Sequence, residues 1–244
     1  MKQTRMIVAE NTPLAQGVYR LRLHGDVSAV TAPGQFVSIK LNGFFLRRPF
    51  SVCDWESGGL TVIYKVLGGG TRSMAALPEG APLDTLTGLG NGFDLSCSGD
   101  APLLTGGGVG AAPLYGLAKR LTAQGKRVTA VLGFNHASER FLADEFSALG
   151  ARTVLLTADG SAGRRGLVPD GMALAGEYSH LYACGPEAML RAVYERCRTS
   201  GQFSLEERMG CGFGACMGCS CQTKDGHKRV CRDGPVFRKE ELTW

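Results

Sequence analysis

Cys211, Cys216 and Cys219 form a C-x4-C-x2-C run, and Cys231 follows after eleven intervening residues. Five of the chain's nine cysteines fall between Cys211 and Cys231, in a Gly-rich stretch with little hydrophobic periodicity. Such a segment needs something other than an apolar core to order it, and a metal cluster would do so. An odd thiol count, with no apolar stretch in the opening MKQTRMIVAENTP, argues against a disulfide framework and for metal or redox chemistry. The spacing is that of a plant-type [2Fe-2S] centre, in which four thiolates hold two irons. Gly210, Gly212, Gly214, Ala215 and Gly218 are small enough for a loop to wrap the cluster and aim backbone N–H groups at its sulfurs. Structural zinc is the competing reading, but zinc sites usually pair two short knuckles and only one C-x2-C is present. Cys221 reads as a bystander packed as a small apolar group, and as the first substitute if one ligand is misassigned. Cys53, Cys97 and Cys197 read as ordinary buried cysteines.

Upstream, the chain changes period once. Residues 1–98 read as short strands, at Met6–Ala9, Gly17–His24, Phe36–Leu41, Leu60–Val66 and Leu83–Leu86, separated by turn signals such as Ala32-Pro33-Gly34. That pattern suits a small antiparallel β-barrel. Across 99–203, strands at Pro102–Thr105, Val128–Gly133, Thr153–Thr157 and Leu181–Ala183 alternate with helices at Ala111–Thr122, Ser138–Leu149 and Pro186–Arg198. Alternation of this kind predicts an α/β doubly wound parallel sheet. Residues 204–244 then form a small C-terminal cluster module. The apolar fraction of 44% supports packed cores, and a balance of +5 without long basic runs gives nucleic-acid binding no support. No run of about 18 apolar residues occurs, so the expectation is a soluble, cytoplasmic protein without a membrane span.

Glycine, at 35 residues, is gathered into clusters rather than spread as a repeat. Thr105-Gly106-Gly107-Gly108-Val109-Gly110 follows a predicted strand and opens a helix, with Pro113 in its first turn. Such a loop lets a pyrophosphate approach bare backbone at the positive helix end, although a tight turn alone also needs glycine. Leu181 to Met189 repeats the strand-turn-helix pattern and sets Cys184, Gly185 and Pro186 at the carboxyl edge of the sheet, where doubly wound folds bind ligands. Together Gly106, Gly107, Gly108, Gly110, Cys184, Gly185 and Pro186 suggest a nicotinamide dinucleotide site, with Cys184 near the nicotinamide and no certain catalytic residue. A 2′-phosphate would require nearby arginines. After the second parallel strand only Arg140 is present, beside Glu139, which favours NAD; Arg164 and Arg165 are the exception to weigh. The four histidines, His24, His136, His180 and His227, sit in no nucleophile or metal pattern.

In the barrel, Leu46-Arg47-Arg48-Pro49-Phe50-Ser51 brings cations, an aromatic ring and a hydroxyl together on a strand. Ile63-Tyr64-Lys65 then precedes Gly68-Gly69-Gly70-Thr71. A flavin diphosphate would want a guanidinium and backbone donors, and its ring an aromatic or apolar wall. R-P-F-S, a following G-T, G-G-G-V-G and C-G-P-x-x-M occur in this order in the ferredoxin reductase superfamily, which the chain resembles from about residue 3 to 200. The tail, M-G-C-G-F-G-A-C-M-G-C with V-C-R-D-G-P-V-F (Val230–Phe237), resembles the electron-transfer subunits of NAD-linked, type B dihydroorotate dehydrogenase.

That resemblance implies a barrel binding FAD, a second domain binding NAD, and a [2Fe-2S] module docked on an FMN-containing dihydroorotate dehydrogenase catalytic subunit, as a heterotetramer of two of each. It places FAD contacts on Arg48, Pro49, Phe50, Ser51, Ile63, Tyr64, Lys65, Gly70 and Thr71. It places the cluster on Cys211, Cys216, Cys219 and Cys231. Dihydroorotate oxidation would need a partner, since a barrel of that kind takes about 250 residues by itself. Two alternatives stand beside this: a flavin and iron-sulfur subunit of another NAD(P)H oxidoreductase, of the ferredoxin:NADP or sulfhydrogenase type, or a redox-sensing partner protein with a zinc-stabilised tail.

Overall fold

The computed structural model describes residues 1–244. Strands β1 (Lys2–Ala15), β2 (Val18–His24), β3 (Phe36–Ile39), β4 (Arg48–Glu56), β5 (Gly59–Lys65) and β6 (Pro82–Leu89) close an antiparallel barrel in the order β1-β2-β5-β4-β3-β6. Leu21 and Leu23 are buried while Arg22 and His24 are exposed, the period of two that a half-buried strand requires. β1 runs well beyond Met6–Ala9 because its ends pair with different neighbours, Lys2–Ile7 with β6 and Ile7–Ala15 with β2. Register shifts at Val8/Glu10 and Pro13/Ala15 accompany this double pairing. Helix α1 (Gly69–Ala75) crosses from β5 to β6.

The second half follows a βα rhythm: β7 (Leu103–Gly107), α2 (Ala111–Ala123), β8 (Thr129–Phe134), α3 (Ala143–Ala148), β9 (Arg152–Thr157), β10 (Arg164–Arg165), α4 (Val168–Ala175), β11 (Leu181–Cys184), α5 (Glu187–Arg196) and β12 (Gly201–Ser204). Strands β13 (Ser220–Thr223) and β14 (Gly226–Arg229) form a hairpin, and β15 (Val236–Arg238) returns to the main sheet. The sheet order is β10-β9-β8-β7-β11-β12-β15, parallel except at the β15 edge. Both faces are covered, as alternating residues show: Leu104, Ala130 and Leu132 pack with α2, whereas Leu103, Val131 and Leu181 pack with α4 and α5. Order reverses at β7, whose neighbours are β8 and β11, so the carboxyl ends of β7 and β11 flank the crevice of a doubly wound sheet.

Barrel and sheet meet along β4 and α2. A Cβ on Gly116 would stand 2.5 Å from the Cys53 carbonyl oxygen, so the helix lies directly on strand backbone. Arg120 covers the Trp55 ring at 3.5 Å, and Lys119 bridges Asp54 and Glu56, each at 2.7 Å. A stacked guanidinium of this kind contributes about 0.5–2 kcal/mol.

Two elements differ from the sequence pattern. The helix expected over Ser138–Leu149 is reduced to Ala143–Ala148, preceded by a 3₁₀ turn at Ala137–Glu139, and Leu142 between them has φ 61°. That left-handed residue costs about 1–2 kcal/mol. It is held because Phe141 and Leu142 are buried while Ser138 and Glu139 are bonded to the barrel. Helix α4 lies in a segment for which no element was expected; its legible signal is Pro169 near the start, with the Asp170 carboxylate accepting from Leu167 N at 2.9 Å.

The C-terminal segment also has more apolar order than its composition suggests. Phe237, Val230 and Leu242 are each at most 1% exposed and belong to the cluster containing Phe203, Cys219 and Cys231. Asn91 N donates to Gly234 O, and Asn91 Nδ2 to Asp233 O, so the D-G-P-V-F run ties the module to the barrel as well as to the sheet. No helix is long and apolar enough to cross a membrane. Phe237→Ala is expected to destabilise the protein by about 3–5 kcal/mol, read as a fall in the denaturant midpoint with the tail losing protease protection first.

Candidate functional site

Cys211 and Cys216 form one thiol pair and Cys219 and Cys231 another. Cys211 N donates to Cys216 Sγ at 3.4 Å and Ala215 N to Cys211 Sγ at 3.2 Å, while Cys231 N donates to Cys219 Sγ at 3.4 Å. Two pairs, each lined by N–H groups, match the demand of a two-iron cluster with an anionic core. The pairs differ in environment. Partial burial pushes the Cys211 thiol up, but backbone N–H groups of Phe213, Cys216 and Ala215 outweigh it and hold it at about 6. Burial, then the neighbouring Cys219 thiol, drive Cys231 up to about 12.

Cys221 is half-buried on β13 against the same core, and burial raises its thiol, as suits a packing residue. Cys53 and Cys197 are buried, but Cys97 is exposed, contrary to the expectation for it. It ends the 3₁₀ turn Leu95–Cys97, where its Sγ reaches Asp94 Oδ2 at 3.2 Å.

The glycine loop and the Cys184–Pro186 turn face each other across the β7/β11 crevice. Cys184 pairs with Gly106 in register, and a Cβ on Gly110 would lie 2.3 Å from the Cys184 carbonyl oxygen. Gly110 is therefore demanded by backbone contact between the two turns. Gly108 has φ 52° with open space around it, so its need is conformational. Burial drives the Cys184 thiol up to about 12, against a hydrogen bond from Ser204, so at neutral pH it is a neutral wall of the crevice. Arg140 is extended rather than helical and pairs with Asp144 at 3.3 Å; Arg164 and Arg165 are exposed on β10.

On the barrel, Arg48 and Gly70 come together: a Cβ on Gly70 would lie 2.8 Å from Arg48 Nε. The guanidinium thus borders the first turn of α1, a combination that suits a diphosphate. Thr71 Oγ1 accepts from Leu67 N at 2.9 Å and Gly68 N at 3.1 Å, so its hydroxyl caps the helix. Pro49, Phe50 and Ser51 are half-buried along β4. Tyr64 is buried inside the barrel between Tyr19 and Phe50, its hydroxyl bonded to Asn11 at 3.0 Å. Ile63 points the other way, into the core shared with α2, and Lys65 reaches across to Glu139 at 2.8 Å. These β5 residues therefore offer a flavin mainly backbone and the Lys65 stem. Arg48, Gly70 and Phe50 fit the group; Ile63 and Tyr64 are chiefly packing.

The histidines carry no site. His180 is buried, bonded to Ser200 Oγ at 2.9 Å and beside Gln202 at 3.1 Å, and burial depresses its protonation. Two surface cavities, of about 540 Å³ beside Arg5, Lys40 and Asp84 and about 400 Å³ beside Arg20 and Trp55, lie away from the Arg48–Gly70 cradle and the glycine loop. Sequence patterning missed Glu139 and Asn11, whose only signal is the polar character of the segments that carry them.

The family described as the iron-sulfur cluster binding domain of dihydroorotate dehydrogenase B matches residues 206–243, and the oxidoreductase NAD-binding domain matches 104–195. The chain is 45% identical to the dihydroorotate dehydrogenase B (NAD(+)) electron transfer subunit of Bacillus caldolyticus, over 98% of this chain and 97% of that one. It is 42% identical to the subunit of the same name from Listeria monocytogenes serotype 4a, over 100% of both. Among solved structures, the NADH-dependent reduced ferredoxin-NADP oxidoreductase superposes with a TM-score of 0.88 at 32% identity, covering 98% of this chain and 90% of the other. A ferredoxin NADP+ reductase from Neisseria gonorrhoeae shares the fold, with a TM-score of 0.68 at 19% identity over 80% of this chain and 90% of that one.

Because the two turns touch through backbone, Gly110→Ala must move one of them. Overpacking of about 1–3 kcal/mol at this point is expected to weaken NAD(H) binding about tenfold without releasing flavin, as measured by equilibrium titration. Gly108→Ala, at a left-handed φ of 52°, is expected to cost roughly 1 kcal/mol of stability, read as a lower denaturant midpoint.

Proposed function

Because the chain belongs to the family of electron-transfer subunits of NAD-linked dihydroorotate dehydrogenase B, we propose that it carries electrons from an FMN-containing, dihydroorotate-oxidising partner to NAD+ through a [2Fe-2S] cluster and FAD. It is an oxidoreductase subunit that works with a catalytic partner. On this reading the assembly holds two of each chain and serves pyrimidine biosynthesis in the cytoplasm. The observation that carries it is the sorting of four thiols into the pairs Cys211/Cys216 and Cys219/Cys231, in a chain that also has a nucleotide crevice and the Arg48–Gly70 cradle.

Bound here, flavin and cluster would supply the conversion between single electrons from the partner and the two-electron hydride that reduces NAD+. The chain's own part is to hold and orient. Arg48, with the backbone at Gly70 and Thr71, holds the flavin diphosphate, and Pro49, Phe50 and Ser51 line its path along β4. The Gly106–Gly110 loop receives the dinucleotide pyrophosphate on bare backbone. Cys184, Gly185 and Pro186 wall the nicotinamide end, where burial raises the Cys184 thiol and favours its neutral form. Electron transfer of this kind needs no general base from the chain.

A second reading, an NADP-linked ferredoxin oxidoreductase subunit, has the likeness at 32% identity and the exposed Arg164 and Arg165 in its favour. Co-purification separates them: recovery with an FMN-containing, dihydroorotate-oxidising chain supports the first, recovery with a large ferredoxin-oxidising chain the second. Anaerobically purified complex is expected to show flavin bands with a red-brown iron-sulfur spectrum and acid-labile sulfide. Cys216→Ser should lose or severely perturb the iron-sulfur signal while flavin stays bound and is still reduced by NADH; Cys221→Ser should change little. A colourless, zinc-containing protein sinks the proposal.

A further inference from the structure

The turn Asn135–Arg140 follows β8 at the carboxyl edge of the sheet and is bonded on two sides. Toward the barrel, Lys65 Nζ meets Glu139 Oε1 at 2.8 Å, Gln16 N donates to Ser138 O at 2.8 Å, and Ser138 Oγ donates to Gln16 Oε1 at 2.6 Å. Toward β9, Ala137 N donates to Ser161 Oγ at 2.8 Å and His136 Nδ1 lies 2.9 Å from Asp159 Oδ2. Asn135 Nδ2 donates to Glu139 Oε2 at 2.9 Å, so both carboxylate oxygens are used. The 3₁₀ turn Gly108–Gly110 of the nucleotide loop lies against β5, the strand that ends in Lys65. This polar bridge therefore stands at the mouth of the groove between flavin strand and nucleotide loop.

Two features separate it from an ordinary surface ion pair. The Glu139 side chain is only 19% exposed, and the Lys65 ammonium, with burial opposing and Asn135 assisting, holds its carboxyl below the usual range. The turn is also conformationally defined: the 3₁₀ turn Ala137–Glu139 is followed by an extended Arg140 and a left-handed Leu142 before helix Ala143–Ala148 begins. Barrel and sheet also meet along the β4–α2 seam, where Gly116 meets Cys53, and through Asn91 and Gly234 at the C-terminal module. The bridge at Glu139 is the attachment that stands beside the nucleotide loop.

We propose that Glu139 is a positioning residue for exchange between NAD(H) and flavin: with Lys65 it clasps the nucleotide sheet to the flavin barrel and sets the approach of nicotinamide to flavin. This rests on the function proposed above. Misplacement by about 1 Å can slow a reaction about a hundredfold, so a clasp affects rate more than binding.

The test uses the purified complex and follows flavin bleaching by NADH in a stopped-flow instrument. Glu139→Gln is expected to lower the limiting rate about tenfold and weaken the long-wavelength nicotinamide–flavin absorbance, with Kd for NADH within about twofold and flavin content and iron-sulfur spectrum unchanged. Glu139→Asp, whose charge the flexible Lys65 can follow, is expected to stay within about threefold of the natural rate. The proposal is overturned if Glu139→Gln matches the natural protein, if both variants slow equally, or if the loss tracks only a lower Tm or lost flavin. If the natural complex itself is not reduced by NADH, the proposed function fails first and the clasp with it.

Discussion

Contact between α2 and β4 is the constraint on which the rest of the molecule depends. Gly116 lets the helix rest on the Cys53 carbonyl, and the Arg120–Trp55 stack and the Lys119–Asp54 pair close over the same seam. An apolar core including Ile63, Leu114, Leu117 and Tyr182 continues through it from barrel to sheet. Two cofactor-binding halves that must exchange electrons have to be held at a set separation, and close packing does so because interiors deform little. The nucleotide loop can face β5 only because this seam brings the carboxyl edge of the sheet against the barrel.

The C-terminal module applies the same logic with fewer residues. Its outer thiols, Cys211 and Cys216, lie on an exposed loop, whereas Cys219 and Cys231 are buried on the core that contains Phe237. Two of the four thiols are therefore fixed by ordinary apolar packing, and two are met by N–H groups on a glycine-rich loop. Metal binding has less chain to order than the composition of the tail suggested, because β15 already anchors it as the antiparallel edge of the sheet.

Some of this was legible because spacing and period are local. The cysteine run, the alternation in β2 and the two strand-turn-helix segments each follow from a few adjacent residues, and the architecture of barrel, doubly wound sheet and tail followed from them. Helix α4 was missed although its cap signals were present, because Gly171 and Pro169 in eight residues masked an otherwise apolar helix. The helix over Ser138–Leu149 was overextended because its pattern is helical; what stops it is the barrel, and no propensity encodes a neighbour distant in sequence. Cys97 looked like its buried counterparts, but its exposure is set by a turn whose carboxylate receives the thiol.

The sequence by itself determined the kinds of chemistry on offer: thiols at cluster spacing, glycine-rich turns after strands, and a guanidinium on a barrel strand ahead of a glycine run. These depend on residue type at short spacing, which the chain states directly. Tertiary structure decided which of those residues are free to act. It turned Tyr64 into the barrel, spent the Thr71 hydroxyl on a helix cap, kept the Cys184 thiol neutral by burial, and joined Lys65 to Glu139 across a gap of seventy-four residues. Burial and long-range pairing depend on the whole packed arrangement, and that arrangement exists only after the chain has folded.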